Sequence, residues 1–167
     1  MVSGSKKKVL VAGATGYIGK AVVAELLDKG YFVYAIVRKE KRLEYSDQSN
    51  LKVLSLEAGE NSDWTKQLPR IDIIISCLAS RSGCERDANF VDYSLNSDLL
   101  YFALKIKLQH FILLSAICIQ KPKLAFQRAK LRFNSELVAS GLRYSIVLPT
   151  AFFKSLSGQV NRIKNGK

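Results

Sequence analysis

The chain has 167 residues, 48% of them hydrophobic, which suits one globular domain, residues 1–167, around a single core. Its 26 Lys and Arg outnumber 14 Asp and Glu for a formal charge of +12; the bases are spread along the chain, so the excess fits a Lys-rich surface or an anionic partner. No apolar run reaches the ~18 residues of a membrane-spanning helix, the short lead into the first strand makes a secretory signal or a long Ser/Arg-rich transit peptide unexpected, and three cysteines without a C-x-x-C pair suggest a reducing compartment and no metal site.

Lys8–Ala12 reads as a short strand buried on both faces, because its apolar residues are consecutive. A glycine-rich turn follows, then a helix with Ile18, Val22, Val23, Leu26 and Leu27 at helical spacing, stopped by Gly30. Tyr31–Val37 is a second strand ending at Arg38, Lys39–Asn50 a polar connection, and Leu51–Leu56 a third strand. Trp64–Leu68 predicts a brief helix closed by Pro69, and Ile71–Cys77 a fourth strand. Leu78–Ala88 is small and polar, as a loop would be, before a helix over Asn89–Lys107. Phe111–Ser115 is a fifth strand, Lys123–Ser140 a long helix ended by Gly141, and Tyr144–Leu148 a sixth strand closed by Pro149. Lys154–Lys164 reads as the start of another helix. Strands alternating with helices imply right-handed crossovers and an α/β, doubly wound parallel sheet of the Rossmann type, with helices on both faces.

The turn after the first strand is Gly13-Ala14-Thr15-Gly16-Tyr17-Ile18-Gly19. Its first glycine permits a tight turn, the second lets the backbone approach a pyrophosphate, and the third lets the helix pack closely. The helix start offers free N–H groups and a partial positive charge to the anion. A glycine trio alone is weak evidence, but between a strand and an amphipathic helix it points to a dinucleotide. Gly13, Thr15, Gly16, Tyr17, Ile18 and Gly19 are therefore the expected phosphate-loop residues. The choice of cofactor is read at the end of the second strand. Arg38-Lys39 there suits the 2′-phosphate of NADPH, since a guanidinium offers a fork of donors to phosphate oxygens. An ordinary basic strand end is the plain alternative, and Glu40 leaves NAD open.

The G-x-x-G-x-x-G spacing resembles extended and atypical short-chain dehydrogenases/reductases. Their pattern places Ser at the end of the fifth strand and Tyr-x-x-x-Lys on the next helix. Ser115 occupies the first position, and Phe126-Gln127-Arg128-Ala129-Lys130 the second, with phenylalanine for tyrosine. Phenylalanine donates no proton, so the usual acid is absent. Lys130 keeps its place to bond the nicotinamide ribose, or to assist protonation if burial lowers its pKa; a solvated helix lysine is the alternative.

Longer stretches narrow the resemblance. Ala79-Ser80-Arg81-Ser82-Gly83, Leu114–Cys118, Gln120-Lys121-Pro122, Phe126–Leu131 and Pro149–Leu156 are similar to the divinyl chlorophyllide 8-vinyl reductases, which are NmrA-like members of the atypical group. The resemblance implies NADPH-dependent reduction of the C8 vinyl group of a chlorophyll precursor. It implies Lys130 and Ser115 at the chemistry and a tetrapyrrole meeting the Ala79–Gly83 loop. Leu78, Ala79, Ser80, Pro149, Thr150 and Phe152 would lie against the cofactor. It implies a bacterial cytoplasm or a plastid, with peripheral membrane contact. Departures include Leu148 where relatives carry Arg, Glu57–Glu60 in place of Gly-Asp, Asp98 where Asn is common, and little of the family's C-terminal substrate-binding part. A non-catalytic NADP-binding scaffold is the alternative function.

Other residues have plainer readings. His110 suits a strand edge, Trp64 and Phe152-Phe153 suit the core, and Cys118 suits a small buried hydrophobe. Cys84 sits in a loop without a visible activating partner. Lys121, Lys123, Arg128, Lys130 and Arg132 form a basic run that suits a solvated helix face, or contact with an acidic tetrapyrrole or membrane. No aromatic–basic motif of the RNA-binding modules accompanies it, so nucleic acid is not expected as a partner.

Overall fold

The computed structural model describes residues 6–38, 48–56, 65, 68–152, 160 and 163–166, without the side chains of Arg38 and Leu56. Most of the helix expected at Trp64–Leu68, most of the Lys39–Asn50 connection and most of the Lys154–Lys164 segment lie outside the described residues.

Six parallel strands form one sheet: β1 (Lys8–Ala12), β2 (Phe32–Arg38), β3 (Leu51–Leu56), β4 (Ile73–Ser76), β5 (His110–Leu114) and β6 (Tyr144–Val147). Their order is β3-β2-β1-β4-β5-β6. Helix α1 (Tyr17–Asp28) links β1 to β2, and α4 (Ala125–Ala139) links β5 to β6. The order reverses between β1 and β4, and the carboxyl ends of strands at such a reversal open a crevice where ligands bind.

Side chains alternate across the sheet as its period of two requires. Val9 and Val11 of β1 pack with Val33, Ala35, Val37 and the Val23–Leu27 face of α1. Leu10 and Ala12 face the other way, with Ile74, Phe111, Leu113 and the aromatics Phe102 and Phe133. The two helix groups thus cover opposite faces on either side of the reversal. β5 starts at His110, whose ring Nε2 shares a 2.9 Å hydrogen bond with the Ser145 hydroxyl of β6.

One connection departs from expectation. Residues 78–88 do not stay a loop to the end, because a helical run begins at α2 (Glu85–Ala88) with Cys84 as its N-cap. The Cys84 sulfur accepts the Asp87 N–H at 3.4 Å, an unusual cap residue that the ordinary Ser/Thr/Asp signal does not reveal. The run continues through one π-helical segment (Asn89–Ser94) into α3 (Leu95–Lys105). β4 is also shorter than the apolar run predicts, although Cys77 still donates to the Ala12 carbonyl at 2.9 Å.

Candidate functional site

The glycine-rich turn sits at the carboxyl end of β1, where the sheet order reverses. Gly13 has φ +75°, and a Cβ there would stand 2.6 Å from the Cys77 carbonyl oxygen, so neither the conformation nor the space admits a side chain. Gly16 is the N-cap of α1, in extended conformation, and donates to the Gly13 carbonyl at 2.9 Å. Gly19 lies on α1 directly against that carbonyl, and an added Cβ would collide with it. The third glycine therefore brings helix against loop backbone. No side chain caps α1, and its first turn holds no acid, so its partial positive charge is directed at the crevice. This arrangement fits a pyrophosphate.

Arg38 is the last residue of β2, in register with Leu56. Its side chain lies outside the described residues, as do Lys39 and Glu40. Tyr17 is exposed, and its ring centroid lies 6.2 Å from that of Phe152, which brings the segment after β6 to the phosphate loop. Pro149 is tied to the turn after β5 by a 3.0 Å bond from the Ile117 N–H to its carbonyl, and Thr150 is exposed beside it. Leu78, Ala79 and Ser80 follow β4, on the same side of the reversal as Pro149 and Thr150 and across it from the glycine turn. The sheet thus places the expected residues from β1, β4, β5 and β6 along one edge.

Behind that edge lies a polar cluster, only part of which the sequence reading singled out. The Ser115 hydroxyl is buried and donates to Asn134 Oδ1 at 3.1 Å, so it turns toward α4. Ser76 donates to Asn96 Oδ1 at 2.6 Å. Lys130 is 5% exposed, which corrects the solvated-lysine alternative. Its Nζ donates to the carbonyls of Leu78 at 3.1 Å and Leu114 at 3.3 Å, and forms an ion pair with Asp92 Oδ1 at 3.1 Å. Asp92 in turn accepts the Ser80 N–H at 3.3 Å and 3.4 Å. Asp92, Asn96 and Asn134 were missed. For Asp92 and Asn96 the available signal was their i, i+4 spacing in line with Ala88 and Leu99, inside a helix otherwise apolar on that face.

The basic run disperses: Arg132 stacks over the Tyr93 ring at 3.8 Å, Arg128 approaches Glu85 at 3.5 Å, and Lys130 is interior. Cys118 is exposed with φ +63°, so the expectation of a buried hydrophobe fails; the tight turn after β5 brings it outward. Cys84 has a partner after all: the Ser82 hydroxyl donates to its sulfur at 3.0 Å, and that bond, with the Asp87 N–H, pulls its thiol pKa below the ordinary value. Burial pushes the Cys77 thiol up to about 11, against the opposing charge of Lys130. Among the described residues no helix is long and apolar enough to cross a membrane.

Fold and loop together define a Rossmann domain for a nicotinamide dinucleotide. The chain belongs to the NAD(P)H-binding family, whose model it matches over residues 13–167. It is 43% identical to the chloroplastic divinyl chlorophyllide a 8-vinyl-reductase of Cucumis sativus, over 95% of this chain and 42% of that one. It is 46% identical to the protein of that name from Oryza sativa subsp. indica, over 98% of this chain and 44% of that one. The chain therefore spans less than half the length of these relatives. Among solved structures, the Bordetella bronchiseptica enzyme WbmH in complex with NAD+ shares the fold, with a TM-score of 0.77 at 16% identity, covering 94% of this chain and 63% of that one.

Proposed function

We propose that this chain is the cofactor-binding part of an NADPH-dependent reductase that converts the C8 vinyl group of a divinyl chlorophyll precursor to ethyl. The observation that carries the reading is the likeness to the named reductases along nearly the whole chain. In this reading Gly13, Thr15, Gly16, Tyr17, Ile18 and Gly19 hold the pyrophosphate, and Arg38 with Lys39 takes the 2′-phosphate. Leu78, Ala79, Ser80, Pro149, Thr150 and Phe152 flank the nicotinamide side. When bound, the cofactor would supply the hydride that the conjugated vinyl group accepts, with a proton completing the ethyl group. Ser115 and Lys130 hold the strand ends beneath that place. The substrate is a tetrapyrrole, and a plastid or a photosynthetic bacterial cytoplasm is the setting, with peripheral contact to the membrane.

A cofactor-binding scaffold without turnover is the second reading. It is favoured by one observation: Lys130 directs its amino group at three acceptors of the protein itself. The test is to mix the chain with NADPH and divinyl chlorophyllide and follow both absorbances. Joint loss of NADPH and of the vinyl band supports the reductase. NADPH that binds but is not consumed makes the chain a cofactor-binding fragment or a scaffold.

A further inference from the structure

The loop after β4 is gathered by two carboxylates from the helical run that follows it. Asp87 Oδ2 accepts the N–H groups of Arg81 at 2.9 Å and Ser82 at 3.0 Å, near the surface. Asp92 accepts Ser80 N–H from within, where its side chain is fully buried. Its partner Lys130 holds the Leu78 carbonyl of the same loop and the Leu114 carbonyl at the end of β5. One ion pair thus joins the π-helical segment, α4, β5 and the loop. Burying two charges is a poor way to gain stability, because desolvation offsets most of their attraction and an apolar pair of similar volume does as well. What such a pair supplies is a single allowed arrangement of the groups that bond to it.

We propose that Asp92 is a positioning residue, which acts through Lys130 and the Ser80 N–H to hold the Leu78–Ser80 loop in the one place that receives the nicotinamide half of the cofactor. The proposal rests on the cofactor reading above. In a sheet of this order the two halves of a dinucleotide lie on either side of the reversal. The glycine turn and Arg38 belong to the β1–β3 side, and the loop after β4 to the other. Loosening the loop should therefore weaken only the ligand that reaches it.

The experiment compares NADPH with adenosine 2′,5′-bisphosphate, which carries the adenine half alone, on the unaltered chain and on Asp92→Asn, with folding checked by circular dichroism. The expected result is a rise of about tenfold in the Kd for NADPH, a loss of the nicotinamide fluorescence enhancement, and a change of less than about twofold for the bisphosphate. Equal weakening of both ligands, or of neither, would overturn the proposal. If Asp92→Asn does not fold, Asp92→Asn with Lys130→Met leaves no buried charge and is read in the same way. An unaltered chain that binds no NADPH would overturn the cofactor reading, and the proposal with it.

Discussion

Replacing Lys130 with Met tests the interior polar cluster most severely. Methionine reproduces the apolar stem of lysine and removes only the amino group, so packing changes little. The loss leaves Asp92, whose side chain is 0% exposed, as a buried carboxylate without its cation, and takes a donor from the carbonyls of Leu78 and Leu114. Removing one member of a buried pair costs about 3–5 kcal/mol, against the roughly 5–15 kcal/mol that holds a domain together. With a urea slope of ~2 kcal/mol per molar, the unfolding midpoint should fall by about 2 M. Adding Asp92→Asn removes the orphaned charge and should return most of that loss, so the double variant should be more stable than Lys130→Met alone. Urea unfolding followed by circular dichroism at neutral pH measures all three proteins. A loss below about 1 kcal/mol for Lys130→Met would refute the reasoning, because a lysine on the surface behaves in that way.

Gly19→Ala should abolish measurable NADPH binding, because its Cβ meets the Gly13 carbonyl and must push α1 off the phosphate loop; a variant that folds and titrates normally would contradict the packing. Arg38→Ala should raise the Kd for NADPH by about ten- to a hundredfold and leave that for NADH little changed, the usual worth of a charge-assisted bond to phosphate; equal effects on both would remove Arg38 from the 2′-phosphate. Cys84, whose thiol the Ser82 hydroxyl and Asp87 N–H hold below its ordinary pKa, should reach its reactive thiolate form at lower pH than an ordinary cysteine. Cys77, raised to about 11 by burial, should stay unmodified in the folded chain. Site-resolved alkylation against pH reads both, and labelling of Cys77 ahead of Cys84 would reverse the assignment.

Much of the fold was legible because its strands are short apolar runs bounded by glycine, proline or charge. The Gly13–Gly19 turn was legible because glycine answers steric demands there: a Cβ at Gly13 would meet the Cys77 carbonyl, and one at Gly19 the Gly13 carbonyl. Polar residues inside helices escaped the same reading. Asp92 and Asn96 occupy the buried stripe that runs from Ala88 to Leu99 and Ala103, whereas the apolar Val91 and Leu95 of the same run are only half buried. Periodicity looks for apolar residues and passes over polar ones that are satisfied by partners distant in sequence, such as Lys130 and Ser80. The π-helical segment adds to the difficulty, since its wider turn departs from the 3.6-residue period on which the pattern depends. The Tyr-x-x-x-Lys spacing sets Lys130 apart from the other four bases of its run, but its burial and its bonds to Asp92, Leu78 and Leu114 follow from tertiary packing. Cys118 suits a small buried hydrophobe by residue type, but its left-handed backbone turns it outward.

The most direct test of the central claim is a fluorescence titration of the chain with NADPH, with NADH in parallel. The account predicts saturable binding with enhanced nicotinamide emission, tighter for NADPH than for NADH, since a phosphate meeting Arg38 and Lys39 adds charge-assisted bonds. Saturation by NADH alone would contradict the preference for the phosphorylated cofactor. Saturation by neither would contradict the claim that the Gly13–Gly19 turn is a dinucleotide site.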